Sequence, residues 1–158
     1  MGGKNGPADE PADHALGRSR GGFSSKIHLV CDSLGWIIAV LVGPGQQNEC
    51  TRFEELMDEV LVIPLSGEIK MLAGDKGYSS AAIRQWLATN NIGDVIARRS
   101  NESRADDFDS ATYRRRNIVE RTIGWLKEFR RIATRYEKLA IHYKALTTIA
   151  AILQFITY

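Results

Sequence analysis

The strongest constraint on this chain is the order in which two hydrophobic periodicities alternate along it. Lys26-Ile27-His28-Leu29-Val30-Cys31 alternates polar and apolar side chains, Asp32-Ser33-Leu34-Gly35 interrupts, and Trp36 to Val42 is an apolar run. Two β-rich runs around a Gly-containing turn predict an antiparallel hairpin, ended by Pro44-Gly45. From Glu49 to Val62 the period changes, with Phe53, Leu56, Met57, Val60 and Leu61 at the spacing of an amphipathic helix. Ile69 to Ala73 is a short strand broken by Gly74-Asp75-Lys76-Gly77-Tyr78. Ser79 or Ser80 then caps a helix through Ile83, Trp86 and Leu87, which stops near Asn90-Asn91 with Gly93 beyond. Asp94 to Ala97 is another strand, Asp106 to Ser110 a polar bridge, and one long helix is expected from about Ala111 to Thr134. Ala145 to Tyr158 reads as a buried closing helix. Hairpin, helix, strand, helix, strand and helices make a mixed α/β plan with both antiparallel and parallel pairing.

The length, 158 residues, suits one domain with a buried core, and 44% hydrophobic with 25% charged residues excludes a disordered chain. Residues 1–22 are the exception. They are rich in Gly, Pro, Asp and Arg without a hydrophobic period, so a flexible N-terminal segment is expected there, with a domain over 23–158. Cys31 and Cys50 lack CxxC spacing and a His cluster, which argues against a zinc site or a disulfide scaffold. No basic stretch followed by an apolar run opens the chain, and the closing segment carries Gln154 and three threonines in too short a span for a bilayer. The expectation is a cytoplasmic protein without membrane contact.

Net charge is only +2, but its distribution is uneven. Tyr113 to Lys138 holds nine Lys or Arg against three acids, +6 in 26 residues, leaving −4 elsewhere. Positive charge gathered on one element is the footprint of a polyanion binder, and a solvated helical face is the plainer alternative.

Two acids stand where chemistry could occur. Asp75 follows a buried strand on a Gly-flanked turn, at the kind of strand end where α/β proteins gather ligands; an ordinary turn aspartate is the alternative. Glu120 stands on the long helix. Counting ~100° per residue from Tyr113, Arg116 falls at about −60°, Glu120 at about −20° and Lys127 at about −40°, one polar stripe. Val119, Thr122, Leu126 and Phe129 lie roughly opposite, facing the core. Arg116 and Glu120 are also an i,i+4 pair, so a surface salt bridge competes with the functional reading. Two carboxylates distant in sequence suit magnesium or manganese in two-metal phosphoryl transfer, with Arg and Lys holding phosphates. A pair of ions needs a third acid.

Tyr113, Arg116, Glu120 and Lys127 reproduce the Y-xx-R-xxx-E-xxxxxx-K signature of bacterial insertion-sequence transposases with DDE chemistry. Leu72-Ala73-Gly74-Asp75-Lys76-Gly77-Tyr78 resembles the segment around their second aspartate. Gly17-Arg18-Ser19-Arg20-Gly21-Gly22 with Lys26-Ile27-His28 resembles the block before their second strand, and Arg130-Arg131-Ile132-Ala133-Thr134-Arg135-Tyr136 their usual continuation. The resemblance implies an RNase H-like mixed sheet flanked by helices, Asp75 and Glu120 as catalytic ligands of Mg2+ or Mn2+, and Tyr113, Arg116 and Lys127 against double-stranded transposon-end and target DNA in a bacterial cytoplasm.

The chain also departs from that pattern. The family's first aspartate sits on a strand upstream of the GRSRGG block, and only sixteen residues precede that block here. Asp9 and Asp13 lack apolar neighbours, Asp32 occupies the hairpin turn, and Asn48-Glu49 replaces the family's His-Asp after the Pro-Gly-Gln loop. The expectation is therefore a partial catalytic domain lacking its first strand, with a strand edge open beside the hairpin, inactive until complemented by an upstream reading-frame product. A non-catalytic DNA-binding remnant or regulator is the second reading. A third is an RNase H-like nuclease of another kind, which fold alone would not exclude.

Overall fold

The computed structural model describes residues 13–19, 22–65, 67–100, 102 and 108–157. Three strands, β1 (Gly17–Ser19), β2 (Gly22–Cys31) and β3 (Ile37–Pro44), form one sheet in the order β1-β2-β3. The expected hairpin is β2 and β3. Its turn is built by Asp32, whose carboxylate accepts the amides of Leu34 and Trp36, both at 2.9 Å. The Gly35 amide donates to Asp32 O at 3.2 Å, and Gly35 itself sits at φ +96°, a left-handed angle that glycine takes without steric cost. β1 lies within residues 1–22, where a flexible N-terminal segment was expected, and places three of them in a strand. Its antiparallel register is Gly17↔Ser24, Arg18↔Phe23, Ser19↔Gly22. Three residues are too few to leave a hydrophobic period to read. The strand also covers β2 at Gly22–Ser24, so the edge beside the hairpin is only partly open.

The described residues fall into two units, one within Met1–His28, Val40–Gln47 and Gly124–Tyr158, the other within Leu29–Ala39 and Asn48–Ile123. In the first, a helical turn α5 (Arg130–Ala133) packs against α6 (Ala140–Thr157). Val42, Ala140 and Tyr143 form a buried cluster with Ala15 and Ile27 against it. The Tyr143 hydroxyl donates to Ile132 O at 2.7 Å, and the Arg135 guanidinium stands 5.2 Å from the Tyr143 ring centroid. α6 corrects the expectation of a buried closing helix. It begins earlier, and only Ala140, Tyr143, Thr147, Ala150 and Ala151 are buried, while Ile141, Ile149, Ile152, Phe155 and Ile156 are exposed. By length and composition alone it could cross a membrane, which core helices of soluble proteins also satisfy.

In the second unit, a 3-10 turn (Glu49–Arg52), capped by Asn48 through the Cys50 amide at 3.1 Å, leads into α1 (Phe53–Leu61). Phe53, Leu56, Met57 and Val60 are buried at helical spacing, each contributing about 1.5–3 kcal/mol of hydrophobic burial, whereas Leu61 is exposed. β4 (Met71–Gly74) and β5 (Gly93–Ile96) pair in parallel around α2 (Ala81–Thr89). Ser80, not Ser79, caps α2, accepting from the Ile83 amide at 3.1 Å. Asn91 at φ +56° stops it, and the Phe53 ring meets Trp86 edge-on at 5.4 Å.

The single long helix expected from Ala111 to Thr134 is divided. α3 (Ser110–Arg115) and α4 (Asn117–Leu126) meet at Arg116, and Lys127–Phe129 separate α4 from α5. At the first junction the amides of Arg116 and Val119 donate three residues back, at 3.0 and 2.9 Å, so one turn tightens. The fold is thus mixed α/β, with an antiparallel and a parallel pairing and helices alongside.

Candidate active site

β4 and β5 run parallel in the register Gly74↔Ile96, so the residues after each strand leave the sheet at the same end. Asp75 is the first residue past β4. Its side chain is exposed and accepts the Lys76 amide at 2.6 Å, capping a single 3-10 turn, Lys76–Tyr78. The Tyr78 amide donates to Asp75 O at 2.9 Å and the Ser79 amide to Lys76 O at 3.1 Å. Two other segments reach this turn. Cys50 Sγ donates to Gly77 O at 3.0 Å, and Arg99, beyond β5, donates from Nε to Lys76 O at 3.3 Å and from Nη2 to Gly77 O at 3.1 Å. Gly77 also leaves space for the Glu49 carboxyl, since a Cβ there would lie 3.0 Å from Glu49 Cδ. Burial pushes the Tyr78 hydroxyl up, and the nearby carboxylates of Glu49 and Asp75 push it further.

Glu120 approaches from α3 and α4. Asp109 caps α3 by accepting the Ala111 and Thr112 amides at 3.0 and 2.9 Å, and the Thr112 side chain first, then these amides, hold its carboxyl below the usual range. α3 packs beside both β4 and β5. Tyr113 meets Phe108 at a tilt of 57° with ring centroids 5.3 Å apart, and carries the Arg116 guanidinium 5.5 Å from its centroid. Arg116 Nη2 donates to Glu120 Oε1 at 2.7 Å. Burial works against the charged guanidinium, but the Glu120 bond and the charges of Asp75 and Tyr113 outweigh it and raise its pKa. Arg116 is therefore bonded to one carboxylate and within the field of the other. With Glu120 63% exposed, the pair itself contributes at most about 1 kcal/mol to stability. On the opposite face, Thr122 and Leu126 are buried as the helical count requires, and the Thr122 hydroxyl donates to Gly35 O at 3.2 Å.

The structure thus gathers Asp75, Tyr113, Arg116 and Glu120 in one unit. Lys127 is different: it follows the last residue of α4, so the 100° count that put it on the stripe with Glu120 stops one residue short of it. Asp32 is committed to its turn, Asp13 lends its carbonyl to the Ala140 amide at 3.0 Å, and Asp9 lies outside the described residues. Asp75 and Glu120 offer the hard oxygen donors that magnesium or manganese prefers. Among the described residues, however, no three His, Cys, Asp or Glu side chains converge on one metal position. The donor type fits such an ion and the donor number does not.

Arg99 and Cys50 were not foreshadowed by the sequence. Arg99 stands in a polar loop without periodicity, and its contacts depend on the strand register. Glu49 was visible only as a departure from the His-Asp pattern.

The profile of the transposase DDE domain family matches residues 3–155. A protein described as the transposase of insertion sequence element IS402 from Burkholderia cepacia is 34% identical over 143 residues, 87% of this chain and 61% of that protein. The chain therefore spans about three fifths of that relative's length. One described as the transposase of insertion sequence element IS6501 from Brucella ovis is 27% identical over 117 residues, 73% of this chain and 85% of its own. No solved structure matches. With the profile reaching across nearly all its residues, the chain belongs to the transposase DDE domain family.

Proposed function

We propose that this chain is the C-terminal part of a DNA transposase catalytic domain, acting by metal-dependent phosphoryl transfer at insertion-sequence ends. The observation that carries the reading is Arg116, hydrogen-bonded to Glu120 at 2.7 Å and placed in the field of Asp75. Two carboxylates remote in sequence act on one cation, whose place a metal ion could take and whose charge a phosphate could draw away. Asp75 and Glu120 would be ligands of Mg2+ or Mn2+, which when bound activates the attacking oxygen and stabilises the leaving one. Arg116, Tyr113 and Lys127 would hold backbone phosphates of transposon-end and target DNA.

The fold is read as RNase H-like with its first strand supplied from outside. Two findings support this. β4 has a strand neighbour on one side only among the described residues, and the metal site lacks a third donor there. A strand bearing an aspartate, provided by an upstream reading-frame product, would supply both. The test is cleavage of element-end DNA with Mn2+, by this chain alone and joined to the polypeptide encoded directly upstream. The chain alone is expected to leave DNA intact and the joined protein to cut it. Asp75→Asn and Glu120→Gln should each lower cutting on the order of 10³-fold or more. Robust cutting by the chain alone, or full activity of joined Asp75→Asn, would refute the proposal.

The shortage of ligands favours one other reading, a non-catalytic DNA-binding remnant. In that case the joined protein would bind DNA but not cut it.

A further inference from the structure

We infer that Arg99 is the positioning residue for Asp75. The inference rests on Asp75 being the functional carboxylate proposed above, and it concerns how that carboxylate is held. A single 3-10 turn has two internal hydrogen bonds here, those from Tyr78 and Ser79, and so little rigidity of its own. Among the described residues the Asp75 carboxylate accepts one hydrogen bond, from the amide next to it. What steadies the turn comes from outside. Arg99 spans two successive carbonyls, Lys76 O at 3.3 Å and Gly77 O at 3.1 Å, with two nitrogens of one planar guanidinium. Its Nη2 also lies 3.9 Å from Cys50 Sγ, which donates to the same Gly77 carbonyl.

Strand register explains why this residue can do so. Gly74 is opposite Ile96, so Asp75 and Ala97 leave the sheet side by side and Arg99 follows two residues on. The parallel pair thus ends in a carboxylate on one strand and its clamp on the other. Arg99 is exposed, whereas the core beneath the turn is Ile83, Leu87, Val95 and Ile96, each at most 4% exposed. Losing the guanidinium should therefore loosen the turn and leave that core intact.

The experiment follows backbone amides of the full 158-residue chain by NMR, comparing the natural sequence with Arg99→Ala, Arg99→Lys and Asp75→Asn. Hydrogen exchange at Tyr78 and Ser79 should accelerate about tenfold in Arg99→Ala, with Leu87 and Val95 unchanged. Broadening of the Lys76 to Ser79 signals by Mn2+ should need about tenfold more ion. Arg99→Lys, able to reach one carbonyl but not both, should recover part of each effect. Asp75→Asn should abolish the broadening while leaving Tyr78 exchange slow. If Arg99→Ala exchanges like the natural chain, the inference is overturned whatever the metal does. Loss of protection at Leu87 as well would make Arg99 a general fold contact and overturn it equally. If Asp75→Asn broadens unchanged, Asp75 is not the ligand and the function proposal fails. The exchange data then decide Arg99's hold on the turn independently.

Discussion

Gly35 shows how much one residue of the hairpin turn governs the helix that carries Glu120. Its φ is +96°, and a Cβ there would stand 3.2 Å from both Ile118 Cγ1 and Thr122 Oγ1, on the buried side of α4. The Thr122 hydroxyl meanwhile donates to Gly35 O. A side chain at this position would strain the backbone and push against the helix at once. Gly35→Ala is expected to destabilise the protein by about 1–3 kcal/mol, read as a lowered thermal midpoint. Gly22 provides the control, with a similar φ of +107° and no atom within 4 Å of an added Cβ. Gly22→Ala should cost only the backbone share. Equal losses in the two variants would mean that the seat of α4 at Gly35 tolerates a methyl group.

At the level of elements, α2 is tied to its surroundings through charge. Ser79 Oγ donates to Glu102 Oε2 at 2.7 Å, and Arg84 Nη2 donates to Ser79 Oγ at 3.1 Å and to Ile96 O at 3.2 Å. The Ser79 bond, then the charges of Arg84 and Arg99, hold the Glu102 carboxyl below its ordinary range. A carboxylate depressed in the folded state stabilises the fold above its unfolded pKa, and that contribution fades as pH falls through the folded value. Stability should therefore decline below the usual glutamate range of about 4.3, and Glu102→Gln should flatten that acid limb in melts from pH 7 to pH 3. An unchanged acid limb would show the network to be idle. Elements with a clean period were legible in sequence: the hairpin, α1 and α2 stand where alternation or helical spacing put them, while β4 and β5 lie within two residues of their short apolar runs and β4 is half-buried where a buried strand was expected. The break at Arg116 was not, because no Pro or Gly marks it and the residue keeps helical angles, φ −52° and ψ −23°. The exposed face of α6 was also hidden, since an apolar sequence reports avoidance of water and not which surface provides cover. For the candidate site, Asp75 and the Tyr113-Arg116-Glu120 stripe could be read from turn chemistry and phase. The clamp at Arg99 could not, because it depends on the β4–β5 register.

Across the whole molecule, the basic stretch is less free than its sequence count suggests. Arg116 is bonded to Glu120, Arg131 to Glu137 at 2.5 Å, and Arg135 donates to the carbonyls of Glu137 and Lys138 at 2.8 and 2.9 Å. Arg114 donates from Nε to Ser110 O at 3.3 Å, and Arg115, Arg121, Lys127, Arg130 and Lys138 are exposed with neither an ion pair nor a side-chain hydrogen bond among the described residues. If these five meet phosphates, the release of condensed counterions sets the salt dependence of DNA binding. The expected slope of log affinity against log salt is about −4 to −5, a loss of roughly 10²- to 10³-fold between about 50 and 200 mM. Fluorescence anisotropy with a duplex of arbitrary sequence measures it. Replacing two of the five by Ala, Arg121 and Lys127, should reduce the slope by about 2 and leave the fold unchanged, because neither side chain is buried. Asp75→Ala should not change the slope, since removing an acid alters the field without removing a phosphate contact. A slope near zero would remove the electrostatic basis for a DNA partner. A slope steeper than about −7 would show that the paired arginines exchange their carboxylates for phosphates on binding, and Glu120 would then be released from Arg116 at the moment DNA arrives.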